Sequence, residues 1–196
     1  MRVGILGGSF DPPHRGHLEL AQAALAQMEF DEVMFIPAGR NPTKGKPGAN
    51  AKDRLEMTRL LVNDEPNFSV SDIELVRSGP SYMVETLMEL TYARPAEYWL
   101  ILGSDALKGF TEWKSPERIV KMVRLAVAGR GHRSAAEALL GSPHWLQEAV
   151  DWFEMTPNLV SSSAIREKFF RRQPVTNELT KPVLNYIKER KLYGEG

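Results

Sequence analysis

The chain has no cysteine in 196 residues, which excludes disulfides, thiolate metal sites and a thiol nucleophile. Neither sign of charge is in excess, with lysine plus arginine and aspartate plus glutamate at 25 each. Without a bulk field there is no electrostatic case for a nucleic acid or an anionic membrane, so local groups must hold any anionic partner. No apolar run approaches a membrane span, and no signal-peptide stretch follows Arg2. A soluble, cytoplasmic protein is therefore the expectation. Two familiar phosphate-binding patterns are also missing. The glycines near the start stand at Gly4, Gly7, Gly8 and Gly16, which fits neither the G-x-G-x-x-G fingerprint nor a P-loop. What remains is the make-up of a globular protein, 42% hydrophobic and 26% charged. One domain over residues 1–196 is the expectation for this length.

Short apolar runs alternate with helical periodicity along most of the chain. Strands are predicted at residues 3–6, 32–37, 97–102, 124–128 and 150–154. Helices are predicted at 16–28, 51–63, 81–92, 116–122, 163–171 and 178–191. Residues 68–70 and 72–75 read as a short strand or bent ribbon, and 132–146 as a surface excursion. Such alternation predicts a doubly wound α/β fold, a mainly parallel sheet with helices on both faces. These sheets bind ligands beyond the carboxyl ends of their strands. Two segments follow such ends: residues 7–17, and the Gly-, Pro- and Lys-rich loop 37–51.

The first reads Gly7-Gly-Ser-Phe-Asp-Pro-Pro-His-Arg-Gly-His17. The glycines permit close backbone approach, and Pro12 and Pro13 stiffen the turn before a helix. Unpaired N–H groups and the positive dipole end at that helix start favour an anion. His14 and His17, three apart, can face one side and donate to phosphate oxygens. A plain βα turn with two surface histidines fits the same letters, and metal binding is weaker for want of a third ligand nearby.

The string resembles the G-G-S/T-F-D-P-x-H-x-G-H signature of the HxGH nucleotidyltransferases, and more narrowly of bacterial nicotinate-mononucleotide adenylyltransferases. The resemblance implies a Rossmann-like fold and places Gly7, Gly8, Ser9, Phe10, His14 and His17 against ATP, with His14 and His17 catalytic. Near the other end, Val160-Ser-Ser-Ser-Ala-Ile-Arg166 offers an N-cap, further hydroxyls and an arginine in the first helical turn. Capping alone would explain the serines. The segment is similar, however, to the family motif that completes the triphosphate site, which implies Ser161, Ser162 and Arg166 in ATP binding. The C-terminal helical part, about 160–196, would then complete the ATP site.

Other segments resemble the family one by one. Asn41-Pro-Thr-Lys44 is similar to its N-P-x-K loop and implies Lys44 near phosphate, although a flexible basic loop reads equally well. Arg54-Leu-Glu-Met57 resembles the helix after that loop, and core packing explains Met57 as well. Gly103-Ser-Asp105 and Trp113 resemble the family's G-x-D and tryptophan, implying mononucleotide contact and stacking on a pyridine ring. Tyr82-Met-Val-Glu-Thr-Leu87 resembles its Y-T-x-D/E-T-L segment, implying Tyr82 and Thr86 at the substrate along with Ser9. Two departures stand out. Met83 replaces the commoner threonine, and Gly129-Arg-Gly-His132 replaces an R-P-G turn, which loosens any role for Arg130.

The implied activity is adenylyl transfer from ATP to nicotinate mononucleotide, giving nicotinate adenine dinucleotide and pyrophosphate in NAD biosynthesis. Mg2+ would arrive with ATP, without a dedicated protein cage. Nicotinamide mononucleotide is the alternative acceptor, and a non-catalytic nucleotide-binding sensor is the reading from another class. The implied partners are the two nucleotides. The oligomeric state stays open, a homo-oligomer included.

Overall fold

The structure, a computed structural model, describes residues 1–42, 45, 47–129, 139–156 and 158–194. Its strands are β1 (Arg2–Gly8), β2 (Glu32–Pro37), β3 (Phe68–Val70), β4 (Glu97–Gly103), β5 (Arg124–Gly129) and β6 (Val150–Glu154). Its helices are α1 (Arg15–Gln27), α2 (Ala51–Val62), α3 (Ile73–Val76), α4 (Met83–Ala93), α5 (Ser104–Lys108), α6 (Pro116–Met122), α7 (His144–Glu148), α8 (Ser162–Phe170) and α9 (Lys181–Glu189). Among the described residues the strands form one six-stranded sheet in the order β3-β2-β1-β4-β5-β6. The β1–β4, β4–β5 and β5–β6 pairings are parallel. Strand order reverses between β1 and β4, the point at which doubly wound sheets bind ligands.

By contact density the chain divides into two compact units. One comprises Met1–Gly7, Leu20–Met34 and Tyr82–Pro157, the other Gly8–Glu19, Phe35–Ser81 and Asn158–Gly196. In the first, Val3 and Ile5 of β1, Leu100 and Ile101 of β4, and Leu125 to Val127 of β5 are buried. Strands read as unbroken apolar runs when both sheet faces are covered. Gly4 has a packing reason to be glycine: a Cβ there would lie 2.7 Å from the Phe30 ring and 2.8 Å from Ile101.

The second unit packs Phe10, Phe35 and Phe68 in a chain of tilted rings and buries Met57, Leu61, Ile165, Phe169, Val183 and Ile187. Helix α2 is capped by Asn50, whose side chain accepts from the Asp53 amide at 2.9 Å. The buried Asp53 carboxylate in turn accepts from the Tyr186 hydroxyl of α9 at 2.9 Å.

Two expectations need correction. Residues 72–75 are not strand: the Leu75 and Val76 amides donate to the Asp72 carbonyl at 2.7 and 3.2 Å, and Ile73–Val76 closes as a helical turn. The Ser71 hydroxyl accepts from the Ile73 amide at 3.4 Å, a local bond that competes with strand pairing. Residues 132–146 are not a surface excursion throughout. Residues 132–138 lie outside the described set, but α7 begins at His144 and its Leu146 is 1% exposed.

Candidate active site

The turn after β1 is held from several directions. Phe10 takes a left-handed backbone (φ 47°), which a phenylalanine adopts only where its surroundings impose it. Its buried ring sits 4.9 Å from His17, edge to face, and 5.8 Å from Phe35. The Asp11–Pro12 peptide is cis. The Asp11 carboxylate accepts from the Gly48 amide at 2.7 Å, the Ala49 amide at 2.9 Å and the Tyr193 hydroxyl at 2.7 Å. The Arg166 guanidinium lies 3.6 Å from the same carboxylate. Donors alone converge on this group, which is what an acceptor-only side chain can satisfy.

Main-chain carbonyls of the turn are taken up by helix α8. Arg166 donates to the Asp11 carbonyl at 2.6 Å, and the Ser162 hydroxyl to the Pro12 carbonyl at 2.9 Å. Ser161 is the exposed N-cap, accepting from the Ala164 amide at 3.2 Å. The two glycine- and serine-bearing helix starts, far apart in sequence, are thus brought together. A Ser9 hydroxyl within 3.5 Å of the Asn41 amide nitrogen links the turn to the loop after β2.

His14 is buried and stacks on His17 with ring centroids 3.7 Å apart and planes 27° apart. Burial lowers the His14 pKa from 6.5 to about 4, so its imidazole is neutral at pH 7. Its Nδ1 is buried without a hydrogen-bond partner among the described residues. The His14 amide donates to His17 Nδ1 at 3.2 Å. Nδ1 of His17 is therefore an acceptor, and in the neutral ring the proton sits on Nε2. Gly16 makes room for this pair, since a Cβ there would lie 3.1 Å from His14 Nδ1.

Sequence reading missed Arg54 and Tyr193 as parts of this arrangement. Arg54 is 1% exposed and donates to the carbonyls of Ser9 at 2.8 Å, Ala38 at 2.6 Å and Gly39 at 3.2 Å. A guanidinium fork thereby fixes the ends of two loops. Desolvation lowers its pKa, an effect that the Asp11 charge opposes. The available signal was its place on the buried face of α2, shared with Met57, Thr58 and Leu61.

The other unit carries Gly7, Tyr82, Thr86, Asp105 and Trp113. A Cβ on Gly7 would lie 2.6 Å from the Met83 methyl, so the residue standing where the family has threonine packs against that glycine. Tyr82 stands at the N-cap position of α4 without a side-chain cap bond, and Lys114 holds its ammonium 4.0 Å over the Tyr82 ring and 2.7 Å from Glu85. Thr86 is fully buried, and its hydroxyl donates to the Tyr82 carbonyl at 3.4 Å. Asp105 lies in the first turn of α5 with a side chain 95% exposed, 3.2 Å from Lys108. Trp113 ends a 3-10 turn at Phe110–Glu112, half-buried, its ring 5.3 Å from Phe110. Lys44, and Arg130 to His132 of the departed R-P-G turn, lie outside the described residues. Among the described residues no three His, Asp or Glu side chains cluster as metal ligands do, and no helix is long and apolar enough to cross a membrane.

A family profile described as cytidylyltransferase-like matches residues 5–168. The chain belongs to the cytidylyltransferase-like family. Its relatives within this family narrow the placement. A Bordetella avium protein is 39% identical over 98% of this chain and 98% of its own length, and a Shouchella clausii protein 35% identical over 99% and 97%. Both bear the name "Probable nicotinate-nucleotide adenylyltransferase". Among solved structures, Plasmodium falciparum nicotinic acid mononucleotide adenylyltransferase complexed with NaAD superposes with a TM-score of 0.82 at 18% identity, covering 98% of this chain and 97% of that one. That likeness shows the Rossmann-like α/β fold.

Proposed function

We propose that the protein transfers the adenylyl group of ATP to nicotinate mononucleotide, a step of NAD biosynthesis carried out in the cytoplasm. The observation that carries this reading is the joined pair of helix starts, the 8–17 turn with its stacked histidines and the Ser161–Arg166 segment bonded to it. Such a pair offers backbone N–H groups, imidazole, hydroxyl and guanidinium donors to one polyphosphate. Full-length relatives named for this activity support the choice of acceptor.

A phosphate oxygen of the mononucleotide attacks the α-phosphorus of ATP. The bond from that phosphorus to the bridging oxygen breaks, and pyrophosphate leaves with the electron pair. The nucleophile is already anionic, so no general base is required. Catalysis is alignment and neutralisation of charge as it shifts to the leaving group. His17 donates from Nε2 to the α-phosphate, and neutral His14 stacks against it. Burial of His14 keeps that pair from carrying two adjacent positive charges. Ser161, Ser162 and Arg166 meet the distal phosphates, and Lys44 adds charge from its loop. Tyr82, Asp105 and Trp113 meet the mononucleotide, and buried Thr86 acts there through its bond to the Tyr82 carbonyl. Mg2+ would come in with ATP and help to neutralise the phosphate charge, without a protein cage. Asp11 does not fit a metal, since its carboxylate oxygens already accept from two amides and a hydroxyl.

Pyrophosphate release from Mg-ATP, compared between nicotinate and nicotinamide mononucleotide, tests the reading. Faster release with the first is expected. Preference for the second would overturn the acceptor and keep the chemistry. Tight ATP binding with no release from either would identify a nucleotide sensor instead.

A further inference from the structure

Tyr193 stands in a left-handed backbone conformation (φ 62°, ψ 30°) close to the end of the described chain. A non-glycine residue there persists only when its surroundings over-determine it. Three contacts do so. Its hydroxyl donates to Asp11 Oδ1 at 2.7 Å, its ring stacks on Phe169 at 5.9 Å, and a Cβ on Gly48 would lie 3.1 Å from its Cε1. Burial first, and the Asp11 carboxylate next, push the phenol pKa well above its usual value, so the group stays a donor at every working pH. The same Asp11 oxygen accepts from the Ala49 amide, and its other oxygen from the Gly48 amide. Asp11 passes the restraint to the turn by its own backbone, whose carbonyl takes the Arg166 bond.

We propose that Tyr193 is a positioning residue of the nucleotide site, holding the Asp11 carboxylate so that the 8–17 turn and the Gly48–Ala49 backbone keep one geometry. The inference rests on the phosphate-binding role given to that turn. Tyr193 touches neither nucleotide and acts through Asp11.

The molecule supplies its own control. Tyr186 donates to the buried Asp53 carboxylate at 2.9 Å between α9 and α2, the same chemistry at a place that no nucleotide role involves. Tyr193→Phe and Tyr186→Phe should lower the melting temperature by similar amounts. Only Tyr193→Phe should lower kcat/KM for ATP and weaken Mg-ATP binding measured by calorimetry, each about tenfold, the size of one hydrogen bond to a charged group. Only Tyr193→Phe should speed hydrogen exchange of the Gly48 and Ala49 amides, again by about tenfold. Equal losses in both variants, or no loss in either, would overturn the proposal. If the unmodified protein binds ATP without turnover, calorimetry alone separates the two variants in the same way. If it binds no nucleotide, the functional reading fails, and unchanged amide exchange in Tyr193→Phe would sink the positioning role separately.

Discussion

The turn at residues 8–17 and the stretch at residues 103–114 both carry predicted ligand contacts, yet they are held in different ways. In the turn, Asp11, His14 and the supporting Arg54 are buried, main-chain carbonyls are tied to side chains from α2 and α8, and the Asp11 carboxylate is tied to Tyr193. In the stretch, Asp105 reaches solvent and bonds its near neighbour Lys108, Trp113 is half-buried, and the longer tie, from Lys114 to Glu85, lies at the surface. The first is organised before any ligand arrives, so its ordering cost is met in folding. The second would have to order surface side chains on binding. Changes in the turn should therefore act on folding and on kcat, and changes in the stretch on KM.

The largest expected effect sets the firmness of that contrast. Arg54→Met leaves the carbonyls of Ser9, Ala38 and Gly39 without their donor and should cost about 3 to 5 kcal/mol in urea unfolding. A loss below about 1 kcal/mol would mean that the turn does not depend on this clamp. His17→Ala comes next, with kcat for pyrophosphate release down roughly 100- to 1000-fold and the melting temperature lowered as well, because His17 packs on His14 and Phe10. A rise in KM with kcat intact would erase the distinction between the two regions.

The pH dependence of stability is a third test. His14 titrates at 6.5 when unfolded and at about 4 when folded, so between these values the unfolded chain binds more protons. Stability should fall as pH drops from about 6.5 to about 4, by about 3 kcal/mol from this group, and level off below. Urea titrations at pH 7, 5.5 and 4, run beside His14→Gln, measure it. A variant as acid-sensitive as the parent would assign the slope to other groups. Trp113→Ala should be mildest, raising KM for the mononucleotide about tenfold with kcat within about twofold. A kcat loss matching that of His17→Ala would place Trp113 with the turn in function.

The alternation of strands and helices was legible because apolar runs of strand length and helical spacing differ in period. The 72–75 segment was misread because its residues suit a strand, while the deciding bond is from the Leu75 amide to the Asp72 carbonyl. The histidine turn was legible from its spacing and its resemblance to a family. Arg54 was not, because its partners are backbone carbonyls, and every residue type has one. Tyr193 was hidden for another reason. Nothing near it in sequence announces an aspartate 182 residues away.

That separation also bears on how the protein is made. The residues around Asp11 leave the ribosome before their partner at position 193, which emerges 182 residues later. At ordinary elongation rates the interval is roughly 10 to 40 seconds. During it the nascent turn lacks the Tyr193 hydroxyl and the α8 serine and arginine. A growing chain should accordingly show little affinity for ATP until position 193 has emerged, however early its first strands find one another.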